Sequence, residues 1–153
     1  MPGAHSVHWD PLTRRLWALG TRSLVALSVT GPPDAPRLTV VQTVALPTSG
    51  GHDLSPVHAS PGRLWVTTTS AVYQYSPAQN MFLPCPGQAR ISQPGVKSIG
   101  DDPAPGQILT TAPAPGNPCA WCTSTLTLFS PDATRTLVNS QLYKARWWTT
   151  LRL

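Results

Sequence analysis

The segments HSVHWDPLTRRLWALG (residues 5–20), HDLSPVHASPGRLWVTT (52–68) and KSIGDDPAPGQILTTA (97–112) share one pattern. Each begins with a histidine or a lysine and continues through a turn rich in Asp, Pro or Gly. A tryptophan or leucine follows the first residue by twelve or thirteen positions, inside an apolar stretch. A motif that recurs three times in the same order predicts a repeat protein.

Two further alternating strands follow in each unit. The third strand is SLVALSVTG, SAVYQYSP or STLTLFSP, and a last short strand is RLTVVQTVALP, NMFLP or TRTLVNS. Alternation of apolar and polar residues fits a β-strand better than a helix. Four short strands in a unit of about 45 residues are typical of a β-propeller blade. A β-sandwich also has regular strands, but it does not require the same motif three times.

We therefore predict an all-β fold, a partial β-propeller with about three four-stranded blades plus the first strand of another. The blades are expected over about residues 4–48, 50–86 and 95–140. The extra strand is expected over 142–153, where YKARWW begins a fourth unit. The composition agrees, because the 18 prolines and 11 glycines interrupt helices and the chain has no glutamate.

Three blades are fewer than the four to eight that close a propeller ring. We therefore expect the chain to be the C-terminal part of a larger propeller, unless two chains complete one another. An open arc would expose apolar blade faces to water, so self-association through those faces is expected.

The charge distribution argues against several classes of partner. Eleven basic residues against six acidic ones give a formal net charge of +5, but only Arg14 and Arg15 form an adjacent basic pair. Without a basic cluster, nucleic acid is not expected as a partner. No apolar run of 18 residues is present, so no membrane span is expected. The start MPGAHSVHWDP has neither the basic nor the apolar region of a signal peptide.

The cysteines do not predict a redox or metal centre. Cys119 and Cys122 form a C-x-x-C motif, which follows a Pro- and Gly-rich loop and precedes a strand, and Cys85 is the third cysteine. A thioredoxin-type site would need a helix after its first cysteine, so a local disulfide or a pair of thiols is favoured. Zinc needs four ligands, and no second C-x-x-C or H-x3-H supplies them. We expect no metal and no cofactor.

Three short motifs carry a resemblance to a known family. GHDLSP (51–56), VKSIGD (96–101) and YKARWW (143–148) resemble a family of secreted bacterial β-propeller proteins that is catalogued as a domain of unknown function. The similarity covers essentially the whole chain, in the order of that family's C-terminal part. The resemblance implies an extracellular or periplasmic location for the parent protein, from which this chain departs by lacking an export signal. It implies no activity.

The repeated first position defines a candidate binding site. The alignment of the units places His5, His52, Lys97 and Lys144 at the start of the innermost strand of successive blades. In a propeller this strand borders the central channel, so equivalent residues form part of a ring at one mouth. Lys97 and Lys144 are the only lysines of the chain, against nine arginines. An ammonium group is a compact charge with three rotatable donors, which suits a narrow opening.

From this ring we predict a polar ligand, an anionic small molecule or an acidic carbohydrate. Lys97 and Lys144 would face a carboxylate or phosphate, with His5 and His52 beside them. Arg146 and Asp53 are expected nearby. Two alternatives stay open at this position: polar residues that only bond loop carbonyls or water in a wet channel, and a metal site of His5, His52 and Asp53. The two ammonium groups would repel a cation, which disfavours the metal.

Whether the protein is an enzyme is uncertain, and the sequence favours a binding module. No nucleophile elbow, zinc-protease motif, phosphate-binding loop or pair of glutamates is present, and no catalytic residue is assigned. The first alternative is a lyase or hydrolase acting on acidic polysaccharide, with His5 or His52 as base. The second is a protein-interaction scaffold.

The remaining prominent residues have structural interpretations. Asp10 and Asp102 precede the first hairpin of their units, where Asp-Pro is typical of turns. His8 and His58 are interpreted as turn or surface residues. Two tryptophans at equivalent positions, Trp17 and Trp65, are expected to pack between blades. Trp147 and Trp148 cannot both face inward on one strand, so one of them is free to border a ligand.

Overall fold

The computed structural model of the chain describes residues 1–85, 87–104, 106–114 and 116–148. Within these ranges, twelve strands form three four-stranded antiparallel sheets, and a single helical turn lies between the second and third sheets. Blade 1 contains β1 (Ser6–Asp10), β2 (Arg15–Leu19), β3 (Ser23–Thr30) and β4 (Arg37–Ala45). Blade 2 contains β5 (Asp53–Pro56), β6 (Leu64–Thr67), β7 (Val72–Ser76) and β8 (Met81–Pro84). Helix α1 (Gln88–Ile91) follows, and blade 3 contains β9 (Ser98–Asp101), β10 (Ile108–Thr111), β11 (Thr125–Phe129) and β12 (Ala133–Thr136).

The three sheets are consecutive blades of a partial β-propeller, which confirms the predicted fold class. Within each blade the strands are ordered as in the sequence, so each hairpin pairs neighbours. The first strands of the blades lie side by side, β1 against β5 and β5 against β9. These inner strands therefore border one common axis, as expected for a propeller.

One backbone hydrogen bond shows that the repeats superpose in the predicted register. In each blade the residue before the inner strand donates its N–H to the last residue of the second strand. The three bonds are His5 N to Leu19 O (2.9 Å), His52 N to Thr67 O (2.9 Å) and Lys97 N to Thr111 O (2.8 Å). The first position of each repeat therefore has the same backbone environment in every blade.

The hydrophobic core consists of two clusters, one at each blade junction. Residues of blades 1 and 2 form the first cluster around Trp17, Leu19, Leu54 and Tyr75. The second lies between blades 2 and 3 and includes Trp65, Val72, Cys85, Ile91 and Ile99. Both repeat tryptophans are buried, as the sequence predicts, because each second strand lies on the inner strand of the next blade.

Aspartates close the first hairpins of blades 1 and 3. Asp10 Oδ1 accepts the Leu12 N–H at 3.0 Å, and Asp102 Oδ1 accepts the Ala104 N–H at 2.9 Å. These are Asx turns, in which a carboxylate two residues upstream replaces a backbone acceptor. The turn role predicted for Asp10 and Asp102 is confirmed.

The fourth unit is only partly described. Leu142 pairs with Thr123 through an isolated antiparallel bridge, and residues 143–148 form no strand. An inner strand pairs with the second strand of its own blade, and the described residues contain no such strand for this unit. The expected strand over 142–153 is therefore reduced to this bridge within the described part of the chain, and residues 149–153 lie outside it.

The cysteine motif contains a disulfide. Cys119 and Cys122 are bonded, with their Cα atoms 5.6 Å apart, in the loop that leads into β11. Cys85 is buried in the second core cluster, and this burial raises the pKa of its thiol to about 12. In the part of the chain that the structure describes, no helix has the length and hydrophobicity needed to cross a membrane.

Candidate anion-binding site

The six predicted ligand-binding residues lie together, four of them at the start of the inner strands β1, β5 and β9 and two in the fourth unit. We call His5, His52, Asp53, Lys97, Lys144 and Arg146 the mouth cluster. The His5 and His52 rings meet edge to face with centroids 5.7 Å apart, and the Lys97 ammonium lies 3.1 Å from His52 Nε2. Lys144 Nζ donates to the His5 carbonyl oxygen at 3.0 Å. Residues separated by as many as 139 positions along the chain therefore form one network.

The bond to Lys97 fixes the protonation state of His52. An ammonium group carries only donors, so His52 Nε2 must accept, and the ring proton is then on Nδ1. Half-burial lowers the pKa of His52 to about 4, and the positive charge of Lys97 adds to this effect. His52 is therefore a neutral imidazole at pH 7. Its Nδ1 is buried and has no hydrogen-bond partner among the described residues, so this N–H is an unsatisfied donor.

Asp53 is the counter-charge of the cluster. Its side chain is fully buried, and Oδ2 accepts the Ile99 N–H of blade 3 at 3.1 Å. Oδ1 binds Lys144 Nζ at 3.2 Å and also accepts from the Arg146 guanidinium. Two cations of the fourth unit are therefore held against one carboxylate of blade 2.

The equivalent positions show why an aspartate is unusual there. Ser6, Asp53 and Ser98 are the first residues of their inner strands, and each contacts the next unit. Ser6 Oγ donates to Leu54 O at 3.3 Å, and Ser98 Oγ accepts the Ala145 N–H at 3.0 Å. A serine is therefore sufficient for the contact between units. The negative charge of Asp53 is needed for the ion pairs with Lys144 and Arg146.

Lys97 has no such counter-charge. Within the described chain, no carboxylate oxygen lies within 4 Å of its ammonium group, whose polar contact is the neutral His52. Partial burial lowers the pKa of Lys97 from its ordinary value, because desolvation disfavours the charged form. The cluster thus contains a partly desolvated cation with unused donors. One residue differs from the expected arrangement. Lys144 was expected to face the ligand, but it binds Asp53 and the His5 carbonyl oxygen.

A second polar group, which the sequence interpretation missed, lies further along the inner strands. Asp101 is buried and accepts three N–H groups of blade 2: His58 N at 3.1 Å, Ala59 N at 2.6 Å and Trp65 Nε1 at 2.8 Å. His58 Nδ1 also lies 2.7 Å from the Asp101 carbonyl oxygen. Pairing of this kind depends on which turn of one blade meets the next, and a single sequence carries no direct signal for it.

A small cavity of about 160 Å³ adjoins this group. It is lined by Asp101, His58, Arg146 and Trp147, whereas Trp148 is exposed.

The interpretation as a turn or surface residue is wrong for His8, which lies half-buried within β1. Burial lowers the pKa of His8, and the charges of His58 and Arg146 lower it further, against the opposing effect of Asp10.

In the described part of the chain, no three His, Cys, Asp or Glu side chains are grouped so that they could hold a metal ion. The polar side chains of the mouth cluster are mainly hydrogen-bond donors, which suit an anion.

Comparison with known proteins assigns the chain to a family. The model of a family of unknown function, DUF6528, matches residues 1–151. The chain belongs to this family. The match covers all three blades and the mouth cluster, in agreement with the resemblance to a family without a known activity. No curated protein and no solved structure is significantly similar to the chain.

Proposed function

We propose that the protein is a non-catalytic propeller module that binds an anionic ligand, a small anion or an acidic carbohydrate, at the mouth cluster. The observation that supports this most directly is the Lys97 ammonium, which is partly buried without a carboxylate partner in the described chain. Burial of an uncompensated charge is unfavourable, so a bound anion would recover that free energy.

The charge balance favours an anion over a cation. Lys97, Lys144 and Arg146 each carry a positive charge, against the single negative charge of Asp53. The His52 ring beside Lys97 is neutral, so it adds no negative charge that would compete with an anion. A carboxylate or sulfate oxygen placed between these groups would accept charge-assisted hydrogen bonds, which are stronger than neutral ones.

Titration calorimetry with trigalacturonate and with sulfate tests the proposal. Lys97→Met keeps much of the apolar stem but removes the charge, and should weaken binding by a factor of about 10 to 100, because a hydrogen bond to a charged group contributes about 1.5–3 kcal/mol. Arg37→Gln, at an exposed position of β4, removes one positive charge outside the cluster. It is the matched control and should bind like the unmodified protein. Equal affinity of both variants would exclude Lys97 as the anion-binding group.

The lyase alternative rests on His52, which is unprotonated at neutral pH. Its Nε2 lone pair, however, accepts from Lys97, so the base would first have to lose that bond. A lyase would produce an unsaturated product, seen as rising ultraviolet absorbance with polygalacturonate, and His52→Ala would abolish the rise. We expect no rise.

The second alternative is a protein-interaction scaffold. It would be favoured if the protein showed neither binding nor turnover and if the lysine variants behaved like the unmodified protein.

Self-association through the open face of blade 1 is part of the proposal. Val7 of β1 is 64% exposed, whereas Leu54 and Ile99, at the equivalent positions of β5 and β9, are 2% and 0% exposed. A second copy of the chain would cover this face. Sedimentation velocity should show a dimer that Val7→Lys dissociates.

The Cys119–Cys122 disulfide supports an extracellular or periplasmic location, where such bonds persist.

A further inference from the structure

A cleft lies between blades 1 and 2, at the opposite end of β1 from the mouth cluster. Its volume is about 390 Å³, within the usual range for small-molecule sites. Trp17 lines it, together with the first hairpin turn of blade 1 and the outer turn of blade 2 at Pro77 and Ala78. β1 begins at Ser6, beside the mouth cluster, and ends at Asp10, which lines the cleft. The two sites are therefore separate.

The buried indole of Trp17 has an unsatisfied donor. Trp17 is 2% exposed, and its Nε1 has no hydrogen-bond acceptor among the described residues. Trp65 occupies the same position in blade 2 and donates to Asp101 Oδ1 of blade 3 at 2.8 Å. A buried donor without a partner is unfavourable, so the difference between the two tryptophans requires a reason.

The reason lies in the residue that the next blade presents. Asp101 pairs with Ile108 in the ladder of blade 3, and Pro56 pairs with Leu64 at the same position of blade 2. The side chain that accepts from Trp65 is therefore replaced, opposite Trp17, by a proline ring that has no acceptor. The second junction contains its own acceptor for the tryptophan, and the first does not.

The polar groups around the cleft are largely engaged elsewhere. Asp10 accepts from Leu12 N at 3.0 Å and from Thr13 Oγ1 at 2.5 Å, and Gln42 donates to Asn80 Oδ1 at 2.8 Å. Asp10 and Arg15 are register partners in the hairpin and carry opposite formal charges, so the charges of the cleft lining sum to zero. The remaining lining is mainly apolar.

A β-bulge shapes the outer wall. The pairing of β3 with β4 runs from Ala26–Gln42 directly to Leu27–Val40, so Val41 is an extra residue. Val41 and Gln42 both line the cleft. The corresponding pairing of β7 with β8 is continuous. Bulges redirect side chains and are common next to functional sites.

From these observations we propose that the cleft is a binding site for a small uncharged ligand with an apolar body and a hydrogen-bond acceptor oxygen, which accepts from Trp17 Nε1–H. The apolar body would contact Val41, Pro77 and Ala78. The lining offers no excess charge to a ligand, because the formal charges of Asp10 and Arg15 sum to zero.

Nuclear magnetic resonance of the ¹⁵N-labelled protein tests this site directly. Trp17→Phe assigns the Trp17 indole N–H signal by its disappearance. Acetophenone, an aromatic ketone, should shift this signal, and ethylbenzene, which lacks the acceptor, should not shift it in the same way at equal concentration. If the Trp17 signal stays constant while acetophenone moves other signals, or if both probes act alike, the proposal is wrong.

Two variants locate the site in the cleft. Ala78→Trp fills the opening from an exposed turn and should reduce the acetophenone shift at least fivefold. Pro56→Asp supplies the acceptor that Asp101 supplies to Trp65, and should move the Trp17 signal without any probe and abolish the response to acetophenone. Should Pro56→Asp not fold, Ala78→Trp decides, and an unchanged response in it overturns the proposal. Lys97→Met should leave the response intact, which separates this site from the anion site.

Discussion

The junction between blades 2 and 3 is closed by polar pairing, whereas the junction between blades 1 and 2 is open at the same place. At the closed junction, Asp101 accepts from His58 N, Ala59 N and Trp65 Nε1. At the open junction, Pro56 occupies the Asp101 position, and Trp17 Nε1 is left without an acceptor in the described chain. The residue at this one position of the repeat thus decides whether the buried tryptophan of the preceding blade has an acceptor in the next blade.

The three blades share their backbone pairing more closely than they share the side chains between units. The first position of each blade makes the same hydrogen bond in all three sheets. The contacts between neighbouring blades vary, and both candidate binding sites lie where they vary. At the mouth, Asp53 replaces the serines found at Ser6 and Ser98, and in the cleft Pro56 replaces Asp101.

The largest loss of stability is expected when Asp101 is removed from the junction between blades 2 and 3. Asp101→Ala should lower the free energy of unfolding by about 3 kcal/mol, because it leaves the buried Trp65 Nε1–H unsatisfied and removes the acceptor of two partly buried N–H groups. Urea denaturation measures the change. Asp10→Ala, which removes an acceptor from the open junction, should cost only about 1 kcal/mol since its partners lie in a solvent-accessible turn. Equal losses would show that the two junctions do not differ energetically.

Asp53→Ser tests the role of the single carboxylate in the mouth cluster. The serine can still accept from Ile99 N, as Ser98 accepts from Ala145 N, but Lys144 and Arg146 lose their counter-charge. Stability should fall by about 2 kcal/mol, less than for a fully buried pair because both cations are partly exposed to solvent. Sulfate should bind more tightly, since two cations become available. Weaker sulfate binding in this variant would contradict the proposed anion site.

The pH dependence of the free energy of unfolding tests the lowered pKa of His52. Its pKa in the folded protein is about 4, below the ordinary 6.5, so folding disfavours the protonated form. The unfolded chain therefore gains a proton that the folded chain does not, as the pH falls from 6.5 towards 4, and stability is lost in that window. Above pH 6.5 there is no effect.

His52→Gln removes this dependence. The difference in unfolding free energy between the unmodified protein and the variant should fall by about 1 kcal/mol from pH 7 to pH 4.5, after allowance for solvent screening at a half-buried position. Denaturation at a series of pH values measures it. An anion bound beside the ring would raise the pKa of His52, so sulfate should reduce the loss. A constant difference across this range would argue against a neutral, partly buried His52.

The smallest effect is expected for Ser6→Ala. Ser6 Oγ makes one 3.3 Å hydrogen bond from blade 1 to Leu54 O, and its loss should cost about 0.5 kcal/mol. Thermal or urea unfolding alongside Asp53→Ser measures the ratio of the two. A larger loss of stability for Ser6→Ala than for Asp53→Ser would contradict the expectation that the contact between blades 2 and 3 stabilises the fold more than the contact between blades 1 and 2.

The sequence was sufficient for the repeat and insufficient for the contacts between repeats. Spacing alone placed His5, His52 and Lys97 in one register, because strand pairing within a blade is local and periodic. Asp53 and Arg146 were included in the predicted site because they follow His52 and Lys144 closely in the sequence. The roles of Asp101 and Trp17 were not predictable in this way, because they depend on how closely two blades pack and on which turn meets which strand.

The Cys119–Cys122 disulfide has a practical consequence. It closes a ring between residues only three positions apart, so it removes little conformational freedom from the unfolded chain. The sheets should therefore survive a reducing buffer almost unchanged, and labelled protein for spectroscopy can be produced in a reducing bacterial cytosol.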